Sequence, residues 1–171
     1  MTTYNLRVLG VDPGTATTGW AVLEENIKNK NICSLQTVAY GHIQTSKKKT
    51  DEERLLEISD DLKKIIKKYH PEESAVEKLF FFKNQKTVIS VAEARGVILL
   101  TLKANGIKIS GYTPLQIKQA LTGYGRAKKK QIQEMVKKIL GLRNIPRPDD
   151  AADALAVAIC HINSRKLNSL K

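Results

Sequence analysis

Four carboxylates stand out, three of them in otherwise apolar segments where a carboxylate is costly. Asp12 closes the apolar run Val8-Leu9-Gly10-Val11 and precedes Pro13-Gly14. Glu77 closes the short run Ser74-Ala75-Val76. Asp150 and Asp153 lie at i and i+3 at the start of an alanine-rich segment, a spacing that puts both on one helix face. A charge buried in an apolar segment is unfavourable unless a cation meets it. Crowded like charges also raise each other's pKa and repel, unless cations fill the space between them. An all-oxygen donor set suits Mg²⁺ or Mn²⁺ rather than zinc. Two such ions can bind the attacking water and the leaving oxygen of a phosphodiester. Each acid alone has a plainer reading. Asp12 could form an Asx turn, Glu77 could pair with Lys78 or Arg95, and Asp150 and Asp153 could cap a helix. Their conjunction in a chain of net charge +12 favours the metal.

That charge, on 171 residues, points to a polyanionic partner. Cys33 and Cys160 form no CxxC pair, so neither a disulfide framework nor a zinc site is indicated. His42, His70 and His161 show no ligand spacing and read as structural. The N-terminus lacks the pattern of a secretory signal. The run Val97–Leu102, interrupted by Thr101, is far too short to span a bilayer. A cytoplasmic protein without a membrane segment is expected.

The elements that must position the acids follow from periodicity. Leu6–Val11, Gly19–Leu23 and Ile32–Gln44 read as three strands in an antiparallel meander, with Glu24–Asn31 as a weakly ordered turn. Thr50 or Asp51 caps a helix carrying Leu55, Ile58, Leu62, Ile65 and Ile66 at helical period. The lysines of its last turns complement the helix dipole. Ser74–Leu79 is a fourth strand with Glu77 near its end. If it lies parallel to the first strand, the spacing of about 5 Å between neighbours brings Asp12 and Glu77 to one ion. A helix over Thr87–Lys103 is apolar nearly all round in its second half, so it needs cover from a sheet and from something else, a subunit partner being one candidate. Ile107–Tyr112 is the last strand. Thr113-Pro114-Leu115-Gln116 is a capping box with proline at the first helical position. After the loop Gly123–Ala127, an amphipathic helix carries Ile132, Met135, Val136 and Ile139. A final helix runs from Asp149 or Asp150 to about Arg165, and the tail 166–171 frays.

At these residues the chain closely resembles the RuvC family of Holliday-junction resolvases. The resemblance rests on five motifs in order: Gly10-Val11-Asp12-Pro13-Gly14 with Thr18-Gly19, Val76-Glu77-Lys78-Leu79-Phe80, Glu93-Ala94-Arg95-Gly96-Val97, Gly123-Tyr124-Gly125-Arg126-Ala127, and Asp150-Ala151-Ala152-Asp153-Ala154-Leu155-Ala156. It implies an α/β chain of RNase H-like fold, with a mixed sheet of about five strands flanked by helices, as one nuclease domain over 1–171. It also places the family's four acids on Asp12, Glu77, Asp150 and Asp153. Some family members carry histidine where Asp150 stands. Glu93 stands where glutamine is frequent, and Asp149 adds one more acid beside the site.

The remaining basic and aromatic groups then sort themselves. By the resemblance, Phe80 matches an aromatic that stacks on junction bases. Independently, Phe80-Phe81-Phe82 cannot all be core, and an exposed ring beside a metal site is a stacking platform. Lys118 and Lys129 match family lysines that serve DNA binding and phosphate chemistry. Lys128-Lys129-Lys130 opens a helix, where cations oppose the dipole, so a bound anion is expected there. Arg126, in the glycine loop, is a further phosphate candidate.

The expectation is a metal-dependent endonuclease that resolves four-way DNA junctions in recombination and repair. A homodimer would place one two-ion site, Mg²⁺ with Mn²⁺ as substitute, on each of two opposed strands. The ends would be 5′-phosphate and 3′-hydroxyl, and RuvA and RuvB are the partners the resemblance implies. Pro13-Gly14 and the small residues up to Gly19 read as clearance for an approaching DNA strand. Alternatives are a YqgF-type RNA-processing nuclease, which shares the Asp-Pro-Gly start, and a non-catalytic junction-binding protein. An actin-like ATPase or sugar kinase would need two such domains.

Overall fold

The structure is a computed structural model and describes residues 3–28, 31–79 and 85–169. Strands β1 (Thr3–Asp12), β2 (Thr17–Lys28) and β3 (Asn31–Gln44) form the expected antiparallel meander. Helix α1 (Asp51–Tyr69), strand β4 (Glu73–Glu77), helix α2 (Gln85–Ala104) and strand β5 (Lys108–Tyr112) follow. Helices α3 (Pro114–Thr122), α4 (Lys129–Ile139) and α5 (Asp149–Ser169) complete the order. The sheet runs β3-β2-β1-β4-β5, with β4 parallel to β1 and β5 parallel to β4.

Strand alternation divides the core between the two faces of this sheet. Leu6, Val8, Ala21, Leu23 and Ala75 pack with α3, α4 and α5. Leu9, Val11, Val22 and Val76 face the other way, onto α1 and α2. The same parity sends Asp12 and Glu77 to the α5 face. α5 itself is enclosed between the sheet and the α3–α4 pair. From Ala151 to Ile162 every residue except Asp153 is buried.

Local chemistry explains the helix starts. Thr50 caps α1 and Thr113 caps α3, each in a complete capping box, and Pro114 opens α3 as expected. His70 ends α1 in the left-handed conformation, a structural role as the sequence suggested.

Two boundaries are corrected. β2 does not stop at Leu23 but continues to Lys28. The polar stretch after Leu23 is strand because Glu25 is fully buried and ion-paired with Arg165 on α5, so a charge faces the core there. α5 continues to Ser169 rather than ending near Arg165, so the expected frayed tail is helical over most of its length.

Candidate active site

The acids converge because three elements end at one place. β1 pairs with β4 in register Val11↔Val76, so Asp12 and Glu77 are the next residue on each of two parallel neighbours. The N-terminus of α5 lies over both, bringing Asp150 and Asp153. Its approach depends on two glycines. A Cβ at Gly10 would collide with the Ala154 carbonyl, and one at Gly19 with the Asp150 carbonyl. The space at Gly19 is therefore taken by α5 itself, and a Cβ at Gly14 would strike the carbonyl of Thr17 in its own turn. This corrects the reading of these glycines as clearance for DNA.

The electrostatics are those of an unbalanced anionic cluster. Burial first, then the charges of Glu77 and Asp153, push the Asp12 carboxyl well above the usual carboxylate range. Glu77 is raised mainly by burial and accepts a hydrogen bond from the Asp12 carboxyl. Asp153 is raised by burial against the pull of Lys129. Burial and mutual repulsion thus raise Asp12 and Glu77 together, while Asp153 leans on an ammonium: Lys129 Nζ donates to Asp153 Oδ2 at 2.9 Å. The alternative partner for Glu77 is ruled out in part, because Arg95 Nε donates to the Glu77 backbone carbonyl at 3.0 Å.

Glu77, Asp153, Lys118 and Lys129 line a crevice of about 220 Å³ floored by Ile117 and Ile132. The Lys118 charge also favours the ionised form of Glu77. Among the described residues, no three His, Cys, Asp or Glu side chains converge closely enough to hold an ion as they stand. The donor set nonetheless fits a hard divalent cation. It is all oxygen, it comes from adjacent strand ends and one helix turn, and its mutual repulsion is what such an ion relieves.

The other expected DNA-contacting residues are distributed more widely. Lys128 and Lys130 line a separate groove of about 1050 Å³ with Leu121, Met135 and Leu142. Arg126 is exposed on the loop between α3 and α4. Phe80, with Phe81 and Phe82, lies outside the described residues. Asp149, whose role the sequence left open, accepts from Arg147 at 2.7 Å and stands 3.5 Å from Lys129 Nζ. Sequence reasoning missed the support behind the site. On α5, His161 bonds Glu73 of β4 and Tyr112 of β5, both at 2.8 Å, and Arg165 pairs with Glu25 of β2. The signal for the close α5 packing was present in its alanines, of which Ala154 and Ala158 face Gly10.

Known proteins resemble this chain along nearly all of it. The family model described as Crossover junction endodeoxyribonuclease RuvC matches residues 8–161. The protein of that name from Fusobacterium nucleatum subsp. nucleatum is 58% identical over 159 residues, 93% of this chain and 81% of its own. That from Caldicellulosiruptor saccharolyticus is 54% identical, covering 93% of each. The Thermus thermophilus RuvC structure superposes with a TM-score of 0.86 at 32% identity, over 95% of this chain and 97% of that one. T. thermophilus RuvC in complex with a Holliday junction substrate gives 0.83 at 29% identity, over 96% and 98%. The yeast mitochondrial Holliday junction resolvase Ydc2, at 13% identity and a TM-score of 0.67, shares the fold.

Proposed function

The chain belongs to the RuvC family of crossover junction endodeoxyribonucleases, and we propose that Asp12, Glu77, Asp150 and Asp153 are the groups through which it cuts. It is a nuclease of RNase H-like fold that resolves four-way DNA junctions. The observation that carries the residue assignment is the convergence of the two parallel strand ends with the first turn of α5. Two Mg²⁺ ions, with Mn²⁺ as substitute, would be held by these four carboxylates and would activate the attacking water and neutralise the leaving oxygen. The protein's own part is to hold the acids on rigid elements, in a buried cluster whose ionised form a bound cation would favour. Lys118 and Lys129 stand at the mouth of the crevice, where a scissile phosphate would meet them. Arg126 on the preceding loop and Lys128 and Lys130 at the start of α4 would add further phosphate contacts outside the crevice, and Phe80 would stack on bases opened at the branch point.

Residues 1–171 act in this reading as one domain, and two copies act together on one junction. The outward face of α2 supports the second copy, since Ile89 and Leu100 are 71% and 70% exposed there. Working beside chromosomal DNA, the protein would be cytoplasmic and would receive junctions from RuvA and RuvB. Among the described residues no helix is long and apolar enough to cross a membrane.

The test is a labelled mobile four-way junction incubated in Mg²⁺. Paired symmetric nicks with 5′-phosphate ends are expected. Asp12→Asn should bind the junction as tightly and cut it slower by about 10³-fold or more, several kcal/mol of transition-state stabilisation being lost. Cleavage by Asp12→Asn at the unmodified rate would sink the assignment.

A further inference from the structure

Lys129 is oddly placed for a DNA-binding lysine. It opens α4, where the helix dipole disfavours an ammonium, yet it turns away from solvent anions towards the acids of α5. Its Nζ lies 2.9 Å from Asp153 Oδ2 and 3.5 Å from Asp149 Oδ2. Asp149 is oriented from its other side, because Arg147 donates to Oδ1 at 2.7 Å and leaves Oδ2 for the lysine. The side chain of Lys129 is 52% exposed, and its Nζ is already within ion-pair distance of both carboxylates, so passing from one to the other needs only a small shift. An ammonium on Asp153 Oδ2 competes with a divalent ion for that oxygen, because the two positive charges repel at such short range.

We propose that Lys129 is a built-in counter-cation that a divalent ion displaces from Asp153, and that Asp149, braced by Arg147, catches the released ammonium beside the site. The proposal rests on the reading of Asp153 as a ligand. Asp149 is then a positioning residue. It contributes no oxygen to the ion, but it lowers the cost of vacating Asp153 and keeps a positive charge next to the crevice where a phosphate would lie. Ion pairs this exposed shift equilibria by factors of about two to five, which suits an exchange that must run in both directions. Held more tightly, the lysine would exclude the ion. Held by Asp153 alone, it would have no acceptor to move to.

The experiment measures Mn²⁺ binding to the protein without DNA, by the electron paramagnetic resonance of the free ion. Lys129→Met removes the competitor and should tighten Mn²⁺ binding by about threefold or more. Asp149→Asn removes the acceptor and should weaken it by a similar factor. The decisive measurement is the double variant. With Lys129 gone, Asp149→Asn should lose most of its effect, because couplings of this kind appear only between interacting groups. Equal weakening by Asp149→Asn with and without Lys129 would mean that Asp149 acts on the ion directly, and would overturn the proposal. So would unchanged or weaker binding by Lys129→Met. Asp153→Asn separates the two levels of the argument. If it leaves Mn²⁺ binding intact, the ligand assignment itself fails. If it weakens binding strongly while the Lys129 and Asp149 variants do nothing, only the exchange fails.

Discussion

Asp12 shows what a single residue costs the fold and why the cost is kept. Burial and the charges of Glu77 and Asp153 hold its carboxyl well above the usual carboxylate range, and burial raises those of Glu77 and Asp153 as well. An acid whose pKa is raised by folding binds protons more tightly in the native state. Its favourable contribution is complete below the unfolded pKa and is lost as pH rises through the native one. Without divalent ions, the protein should therefore lose stability from about pH 4 upwards through the raised pKa values of these three groups. Asp12→Asn removes the problem and should raise the melting temperature at pH 7–8 in EDTA, by about 2–4 °C for each kcal/mol relieved. Mg²⁺ should reverse the order, stabilising the unmodified protein and leaving the variant nearly unaffected. Thermal melts of both proteins across pH 5–8, with EDTA and with Mg²⁺, check this. A variant less stable than the parent in EDTA at pH 8 would show that the acid cluster is not under strain. As candidates the four acids were legible because three of them stand in otherwise apolar segments and the fourth, Asp150, shares a helix face with Asp153. The partner of Lys129 was not, because nothing in a Lys-Lys-Lys triplet says which lysine folds back on residues 20 to 24 positions later.

At the scale of elements, the site is a matter of how closely α5 lies on the sheet. Gly10 and Gly19 remove side chains from β1 and β2 where α5 presents the carbonyls of Ala154 and Asp150. Further along, Arg165 and His161 tie the same helix to Glu25 and Glu73. Gly19→Ala should push the first turn of α5 outward and cost about 1–3 kcal/mol of stability, as overpacking does. Cleavage should fall by more than the stability loss explains, because Asp150 moves with the backbone that is displaced, while junction binding through α3 and α4 persists. Cleavage and binding of one folded preparation measure the difference; a loss of stability with cleavage intact would show that the close approach serves packing alone. Arg165→Met is the complementary case. It leaves the fully buried Glu25 without its charge partner and should destabilise by about 3–5 kcal/mol in chemical denaturation. The order of strands and helices could be read from alternation and turn residues, whereas the parallel pairing of β1 with β4 was only a condition of the sequence reading until the sheet supplied it. The length of β2 could not be read. Glu24 to Lys28 reads as a polar turn until Arg165, 140 residues away, explains why a glutamate sits in a strand. A local pattern cannot report a contact of that range.

At the scale of the molecule, one helix face is left exposed among the described residues. α2 buries Ala94, Ile98 and Leu102 against the sheet. Its opposite side carries Ile89, Ala92, Gly96 and Leu100, spaced three or four residues apart and exposed. A Cβ at Gly96 would meet nothing, so glycine there answers no demand of the isolated fold, and in mid-helix it costs about 1 kcal/mol relative to alanine. The proposed second copy, seated on this stripe, would account for both the apolar residues and the missing side chain. It also answers the chemistry, since one chain carries one acid cluster and resolution needs two opposed strands cut. Leu100→Glu places a charge in the middle of that face, where it touches nothing in the chain's own core. The expected result is a monomer by sedimentation velocity, with a melting temperature governed by the unchanged internal packing. Each monomer retains its acids and basic surface, so it should still nick junction DNA in Mg²⁺. The nicks should no longer be paired, however, because the second site is not carried to the opposite strand at fixed distance. A dimer that survives Leu100→Glu and still cuts in pairs would place the subunit contact on another surface and leave the exposed stripe of α2 without this explanation.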